Sequence, residues 1–171
     1  MSDEWIERGF HIYQVQLNTQ NRRKFRQVAR DTCGESMEPQ EDDLVMFGEK
    51  LDEKDPVVCV ICAKLAKDDV EDPANIHYFH WINFLFVKGK FQRQGFGGQV
   101  LNAMEQELRR RRLRPIRLES AYKAVEFFKT HNYKQIGEPT DCVYSGSAIF
   151  RTLQTMEKFS RMQLLQHPWA R

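Results

Sequence analysis

The glycine-rich segment QRQGFGG, residues 92–98, is the feature that most constrains how this chain can fold. It follows the apolar run WINFLFV, which is typical of a buried strand. Apolar residues then recur at helical spacing: Val100, Leu101, Met104 and Leu108. The pattern therefore predicts a strand, a tight turn and an amphipathic helix over about residues 96–112. Glycines allow the turn to adopt backbone conformations that other residues rarely reach.

A turn of this kind is suited to binding an anion. The first N–H groups of a helix have no acceptor within the helix, and the helix dipole adds partial positive charge there. The dinucleotide motif G-x-G-x-x-G fails because Val100 stands where its last glycine belongs, and a Walker A motif fails because Gly-Lys-Ser and Gly-Lys-Thr are absent. The remaining pattern, a strand followed by Q-x-x-G-x-G and a helix, predicts a pyrophosphate site.

The rest of the sequence predicts one mixed α/β domain. Further strands are expected over residues 9–17, 44–51, 57–65, 76–87, 116–120 and 145–153. Further helices are expected over residues 18–32, 121–132 and 154–171. The strands between residues 44 and 87 should form an antiparallel meander. Residues 154–171 are expected to be a C-terminal helical extension of a single domain that comprises residues 1–171.

The chain of 171 residues, 41% of them hydrophobic, is long enough for one core. No apolar run reaches the roughly 20 residues that cross a bilayer. The N-terminal MSDEWIERGF lacks the basic and then apolar order of a signal peptide. We therefore expect a cytoplasmic protein that is not bound to a membrane, with reduced cysteines.

Cys59 and Cys62 form a C-x-x-C pair, which can indicate a metal site. Their context, PVVCVICAKLA, favours a buried strand, and residues three apart on a strand point to opposite faces. No second C-x-x-C completes a four-ligand set, so both cysteines are interpreted as core residues. The same spacing argument applies to His77 and His80. We expect no metal site.

Charge is distributed unevenly along the chain, although the formal net charge is only +2. Residues 31–73 hold 14 acidic and 4 basic side chains, whereas residues 88–134 hold 12 basic and 4 acidic ones. This asymmetry favours an anionic ligand on the basic stretch and a cationic ligand near the acidic stretch. The simpler alternative is that both stretches are solvated surface.

The segments WINFLFV, QRQGFGG, IRLES and AVEFFKTHNY, with the helix between them, resemble the core of the GNAT superfamily of acyl-CoA-dependent N-acetyltransferases. Residues 92–97 match the family motif Gln/Arg-x-x-Gly-x-Gly/Ala, and the resemblance covers residues 81–137. Phe128 and Tyr133 stand at the ends of a segment similar to the family's aromatic-x-x-x-Gly-Phe. The resemblance implies a mixed α/β fold, with a central, mostly antiparallel sheet that contains a splayed parallel strand pair and is flanked by helices.

The resemblance also implies that acetyl-CoA is the acyl donor. Backbone amides of residues 92–98 would hold its pyrophosphate with help from the charge of Arg93, and the pantetheine arm would pair with the strand at Phe86 and Val87. The cofactor-binding residues implied in this way are Leu85, Phe86, Val87, Gln92, Arg93, Gln94, Gly95, Phe96, Gly97, Gly98, Gln99, Ser120 and Phe128.

The catalytic positions depart from the family pattern. Trp81 stands where the family often has a glutamate base, and Phe128 stands where it often has a tyrosine acid. Three substitutes are predicted. Glu119 could act as a base through a water molecule, His80 titrates in the useful range, and Asn83 could orient a water or the acceptor.

These features predict an N-acetyltransferase that transfers an acetyl group from acetyl-CoA to a primary amine by direct attack in a ternary complex. The acceptor could be a small molecule or a peptide, and the protein a monomer or a homodimer. The missing side chains leave a non-catalytic acyl-CoA-binding module as an alternative. A nucleic-acid adaptor is a weaker one, because the four arginines of residues 109–112 would point around the helix and lack interleaved aromatic residues.

Overall fold

The structure is a computed structural model that describes residues 5–7, 9–141 and 151–159. The described strands are β1 Trp5–Glu7, β2 Phe10–Val15, β3 Leu44–Lys50, β4 Val57–Lys64, β5 His80–Val87, β6 Ile116–Ala121, β7 Lys134–Gln135, β8 Thr140–Asp141 and β9 Thr152–Lys158. The described α-helices are α1 Thr19–Cys33, α2 Phe96–Arg111 and α3 Val125–Thr130. None of these helices has the length and apolar character needed to span a membrane.

The tertiary contacts divide the chain into two compact units. The first unit consists of Met1–Lys64 and Asn83–Glu107, and the second consists of Leu65–Ile82 and Leu108–Arg171. The boundary crosses strand β5, so His80, Trp81 and Ile82 belong to the second unit and the rest of β5 belongs to the first.

The strands of the first unit pair in antiparallel order, which confirms the predicted meander for β3 and β4. Strand β2 pairs with β1 and β3, and β3 pairs with β4. A bulge interrupts the register of β3 and β4 at Gly48 and Glu49. Strand β5 lies next to β4 in the hydrogen-bonded order, and Lys88 N donates to Val58 O at 2.9 Å just beyond the end of β5.

Helix α1 covers the core of the first unit. Its N-cap is Asn18, whose side chain accepts a hydrogen bond from Asn21 N at 2.8 Å. Gly34 ends the helix in a left-handed conformation, and its N–H donates to Arg30 O at 2.9 Å. The buried face of α1 packs against the sheet in one apolar cluster: Phe25, Val28, Ala29, Val45, Phe47, Val57, Val60, Cys62 and Phe86.

The second unit contains the parallel strand pair. His80, Trp81 and Ile82 of β5 pair with the first three residues of β6, Ile116–Leu118, in parallel. Strand β6 then pairs along its whole length with β9 in antiparallel order, and β9 also pairs with β7 and β8. The fold is therefore mixed α/β with a mostly antiparallel sheet and one parallel pair, which confirms the predicted fold class.

Several predicted boundaries need correction. Strand β5 begins at His80 because Ile76–Tyr78 form a short 3-10 turn, and α3 begins only after another such turn. The helix predicted over residues 154–171 is wrong for residues 154–159, of which residues 154–158 belong to β9 and Phe159 lies in no helix. The remainder of that prediction, and most of the strand predicted over residues 145–153, lies outside the described residues. The short strands β1, β7 and β8 were not predicted.

Candidate active site

The predicted anion-binding turn connects β5 to α2 within the first unit. After Val87 the chain makes a 3-10 turn at Gly89–Phe91 and then enters α2 at Phe96. Phe91 is buried, and the Phe96 ring lies 6.4 Å from the Phe91 ring and 4.5 Å from the ring of Phe10. These aromatic contacts anchor both ends of the turn to the core, so the backbone between them is held in place.

The backbone of the turn leaves donors for a ligand. Arg93 has a φ of 60° and Gly95 a φ of 89°, both in the left-handed region. The first helical hydrogen bond runs from Gln99 N to Gly95 O at 3.1 Å, so the N–H groups of residues 96–98 have no acceptor within α2. Alternating backbone conformations next to a helix N-terminus are typical of a concave anion site.

The side chains of the turn support its backbone. Gln92 Nε2 donates to Val87 O at 2.9 Å, and Gln94 Nε2 donates to Lys90 O at 3.1 Å. Both glutamine side chains therefore stabilise the loop. The predicted contacts with phosphate would then come from backbone N–H groups and from the exposed Arg93. Lys88 Nζ lies 2.7 Å from Asp55 Oδ2, so this neighbouring cation is already paired.

Strand β5 supplies the predicted pantetheine-binding residues. Phe86 is a core residue whose ring lies 6.3 Å from the ring of Phe25 on α1. Val87 O accepts hydrogen bonds from Gln92 Nε2 and from Thr32 Oγ1, the latter at 3.1 Å. A carbonyl oxygen has two lone pairs, so a ligand that pairs with β5 here must use other backbone groups or displace a side chain. Leu85 is half-buried.

Asn83 stands at the start of the first unit's portion of β5. Its side chain is exposed, and its Nδ2 lies 3.2 Å from Oδ1 and 3.1 Å from Oδ2 of Asp43. Asp43 precedes β3 and is buried. Its role was not predicted, because one acid among many in residues 31–73 gives no sequence signal. Only the fold identifies it as the buried one.

His80 is fully buried in the second unit. Its Nδ1 accepts a hydrogen bond from Ala66 N at 3.0 Å, and its Nε2 donates to Arg112 O at 2.9 Å. Burial, together with the charges of Arg112 and Arg114, lowers the pKa of His80, against the opposing effect of the Arg112 carbonyl. A proton could reach Nδ1 only if the bond from Ala66 were broken, which favours a structural role.

The cysteine pair has no features of a reactive site. Cys59 and Cys62 are free thiols in the core, as their strand predicts. Burial raises the pKa of both thiols, and the Asp43 carboxylate adds to the effect at Cys62. Protonated, inaccessible thiols are poor nucleophiles and poor metal ligands.

Comparison with known families identifies the fold. The family model described as "Acetyltransferase (GNAT) domain" matches residues 14–143. The chain belongs to the GNAT acetyltransferase family. This confirms the resemblance found in the sequence, and the match covers most of the described residues.

Solved structures similar to this GNAT chain include the ribosomal-protein-S18-alanine N-acetyltransferase of Escherichia coli. It has TM-score 0.64 and 13% identity, and the match covers 85% of this chain and 92% of that one. Arabidopsis thaliana Naa50 has TM-score 0.65 and 14% identity, with 87% and 99% covered. Escherichia coli ElaA has TM-score 0.62 and 13% identity, also with 87% and 99% covered. At these identities the structures show the fold alone. No curated protein sequence matches the chain.

The remaining predicted residues of this GNAT chain lie in the second unit. Glu119 is exposed on β6, opposite Thr155 of β9. Ser120 is buried, and its hydroxyl donates to Ala121 O at 2.9 Å. Phe128 is buried on α3, and its ring packs edge-on against Tyr133 at 5.6 Å. The turn, the end of β5 and Asn83 thus belong to the first unit. Glu119, Ser120, Phe128 and His80 belong to the second.

Proposed function

We propose that this GNAT chain is an N-acetyltransferase that transfers the acetyl group of acetyl-CoA to a primary amine by direct attack in a ternary complex. The observation that carries the proposal is the turn between β5 and α2. Its left-handed residues and unpaired helix N–H groups fit a pyrophosphate. The similar structure of Naa50 is a complex with the bisubstrate analogue CoA-Ac-MVNAL, which supports acetyl-CoA as the donor.

The turn offers open space, backbone donors and a positive charge for the phosphates of acetyl-CoA. A Cβ built at Gly95 would meet no atom within 4 Å, so the space outside this backbone is open to a ligand. The N–H groups of residues 93–98 would bind the phosphate oxygens, and Arg93 would add positive charge. Gln92 and Gln94 would act through the bonds that hold the loop.

Acetyl transfer requires a free amine, stabilisation of the oxyanion and departure of the CoA thiolate. We propose Glu119 as the base, acting through a water, because it is the exposed member of the predicted set of titratable groups. His80 is less suited, since both of its ring nitrogens are hydrogen bonded. A thiol with a pKa near 8.5 is a tolerable leaving group, so the absence of a tyrosine at Phe128 does not prevent the reaction.

A second candidate is a non-catalytic acyl-CoA-binding module. It is favoured by Trp81 and Phe128, which stand where the family often has an acid–base pair. The half-buried Trp81 donates from Nε1 to Ile76 O at 2.8 Å, and Phe128 is part of the core, so both have structural contacts.

Turnover of acetyl-CoA separates these two functions. The purified chain is incubated with acetyl-CoA and an amine panel of a polyamine, lysine, a peptide with a free N-terminus and a small metabolic amine. Thiol release and acetylated products are measured by absorbance and mass spectrometry. Amine-dependent thiol release with a matching product supports the acetyltransferase. Tight CoA binding by calorimetry without turnover of any amine supports the binding module.

A further inference from the structure

A buried carboxylate in the first unit accepts hydrogen bonds from a backbone N–H and from a side-chain amide. Asp43 is 8% exposed, and its Oδ2 accepts a hydrogen bond from Gln40 N at 3.0 Å. Asn83 Nδ2 donates to the same carboxylate at 3.1–3.2 Å. Burial, together with the Asp43 charge, raises the pKa of the neighbouring Cys62 thiol. Asp43 therefore lies in a built environment in which Gln40 N and Asn83 Nδ2 act as donors.

This environment fixes the orientation of Asn83. The carboxylate of Asp43 acts as the acceptor, so the amide of Asn83 must direct its NH₂ group inward. Its carbonyl oxygen, Oδ1, then points away from Asp43. Because Asn83 is exposed, its Oδ1 is an oriented hydrogen-bond acceptor that faces solvent. The buried negative charge of Asp43 lies directly behind the same amide. The opposite amide orientation would place two acceptors against each other.

We propose that Oδ1 of Asn83 binds the ammonium group of the acceptor amine and that Asp43 is the positioning residue behind it. A primary ammonium ion carries three N–H donors and a full positive charge, which match an outward carbonyl and a nearby carboxylate. A neutral hydroxyl group of the same size lacks the charge. The inference rests on the proposed function for its place in catalysis, whereas the binding of an ammonium ion does not depend on turnover.

The kinetic test compares Asp43→Asn with Asp42→Asn. The two variants remove the same charge from adjacent positions, but Asp42 is exposed and serves as the matched control. For Asp43→Asn we expect the amine KM to rise by about tenfold, with acetyl-CoA affinity and the high-pH plateau of kcat changed by less than about twofold. An equal KM change in both variants, or a loss confined to kcat, would overturn the proposal.

The pH profile of kcat gives a readout that a purely structural role would not move. The Asp43 charge favours the ammonium form of the bound amine, so its removal should shift the rising limb of kcat to lower pH by about half a unit. Asn83→Ala, which lacks the carbonyl acceptor, should raise the amine KM to a similar extent. The double variant should then show little further loss. If the rising limb of kcat does not shift, and the KM effects of Asp43→Asn and Asn83→Ala add in the double variant, the two residues do not act as a pair.

A binding experiment keeps the inference separate from the proposed function. The side-chain NH₂ resonance of Asn83, assigned by its loss in Asn83→Ala, is titrated with n-butylammonium and with n-butanol. We expect a saturable shift with n-butylammonium only, and a weaker one in Asp43→Asn. Turnover without this shift refutes the Asn83 site and leaves the acetyltransferase standing. The shift without turnover of any amine supports the site and refutes the function.

Discussion

At the scale of single residues, His80 shows how a titratable side chain can serve the fold. Its two ring nitrogens join the backbone of Ala66 to the backbone of Arg112. The Arg112 side chain also donates to Ala66 O and pairs with Asp68. The neutral imidazole of His80 and the guanidinium of Arg112 thus join the loop after β4 to the residue that follows α2. Only a neutral imidazole can accept the bond from Ala66 N while it donates to Arg112 O.

The stability of this contact should depend on pH. The pKa of His80 lies below its ordinary value of 6.5, so near and below 6.5 the unfolded chain binds a proton more readily than the folded one. The contribution of His80 is complete above pH 6.5 and decreases as the pH falls toward the lowered folded pKa. We predict that His80→Gln, measured by urea unfolding, costs roughly 1–3 kcal/mol at pH 7.5 and loses less stability than the wild type on going to pH 5.

The control for this prediction is His77→Gln, the same substitution at a half-buried histidine of the same unit. It should leave the pH dependence of unfolding close to that of the wild type. If His80→Gln and the wild type lose equal stability between pH 7.5 and pH 5, His80 does not titrate in the way its contacts require.

The proposed base can be tested by a single substitution. Glu119→Gln keeps the size of the side chain and removes its charge, so we expect kcat/KM to fall by roughly ten- to a thousandfold while acetyl-CoA affinity stays the same. Glu126→Gln on α3 is the control, since Glu126 is exposed and bonds Lys129 at 3.0 Å. Unchanged activity of Glu119→Gln across the pH range would reject this base and favour deprotonation of the amine in solvent.

At the scale of elements, the best prediction from sequence is the unit of β5, turn and α2. Its signals are local: an apolar run, glycines where φ must be positive and apolar residues at helical spacing. The predicted helix of residues 96–112 differs from α2 by one residue. The prediction of a helix over residues 154–171 failed because the contact that decides this structure is not local. Gln154, Met156 and Glu157 are all buried on β9, and this burial arises because β9 pairs along β6, a contact that local periodicity does not encode.

The turn supplies the sharpest test of acetyl-CoA binding. Gly97→Glu places a side chain and a negative charge at the N-terminus of α2, where the phosphates would approach, so we expect CoA binding to fall below detection in calorimetry. Gln106→Glu adds the same charge to an exposed position further along α2 and should bind CoA normally. Circular dichroism should show both variants folded. Normal CoA affinity of folded Gly97→Glu would remove the phosphate site from this turn.

The candidate site itself was only partly predictable. The sequence indicated the phosphate-binding backbone, because glycine and helix signals are local. It named Asn83 as a candidate but did not reveal its buried partner Asp43, and it could not reveal that both ring nitrogens of His80 are hydrogen bonded. Hydrogen bonds between residues far apart in sequence decide such roles, and one sequence carries no direct record of them.

At the scale of the whole molecule, part of the charge asymmetry is neutralised by ion pairs. Within the first unit, Asp55 pairs with Lys88 at 2.7 Å and Glu53 pairs with Lys90 at 3.4 Å. Both pairs join the acidic stretch to the basic one. Exposed pairs of this kind contribute little to stability, but they reduce the field that each stretch projects into solvent. The acidic side chains without such partners must then carry most of any attraction for a cationic acceptor.

That remaining field predicts how the proposed acetyltransferase activity should respond to salt. Screening weakens attraction between an acidic surface and a cation, and the effect grows with the charge of the cation. We therefore expect the KM of a dicationic amine to rise more steeply with ionic strength than the KM of a monocationic amine of similar length, when both are measured between about 20 and 300 mM salt. The KM of acetyl-CoA is measured in the same series as a control, because acetyl-CoA is an anion. A salt response of the amine KM that the KM of acetyl-CoA does not share would show that salt acts on binding of the acceptor. Parallel curves for the two amines would mean that the acidic stretch has no part in recruiting the acceptor, and that amine binding depends on short-range contacts such as that proposed at Asn83.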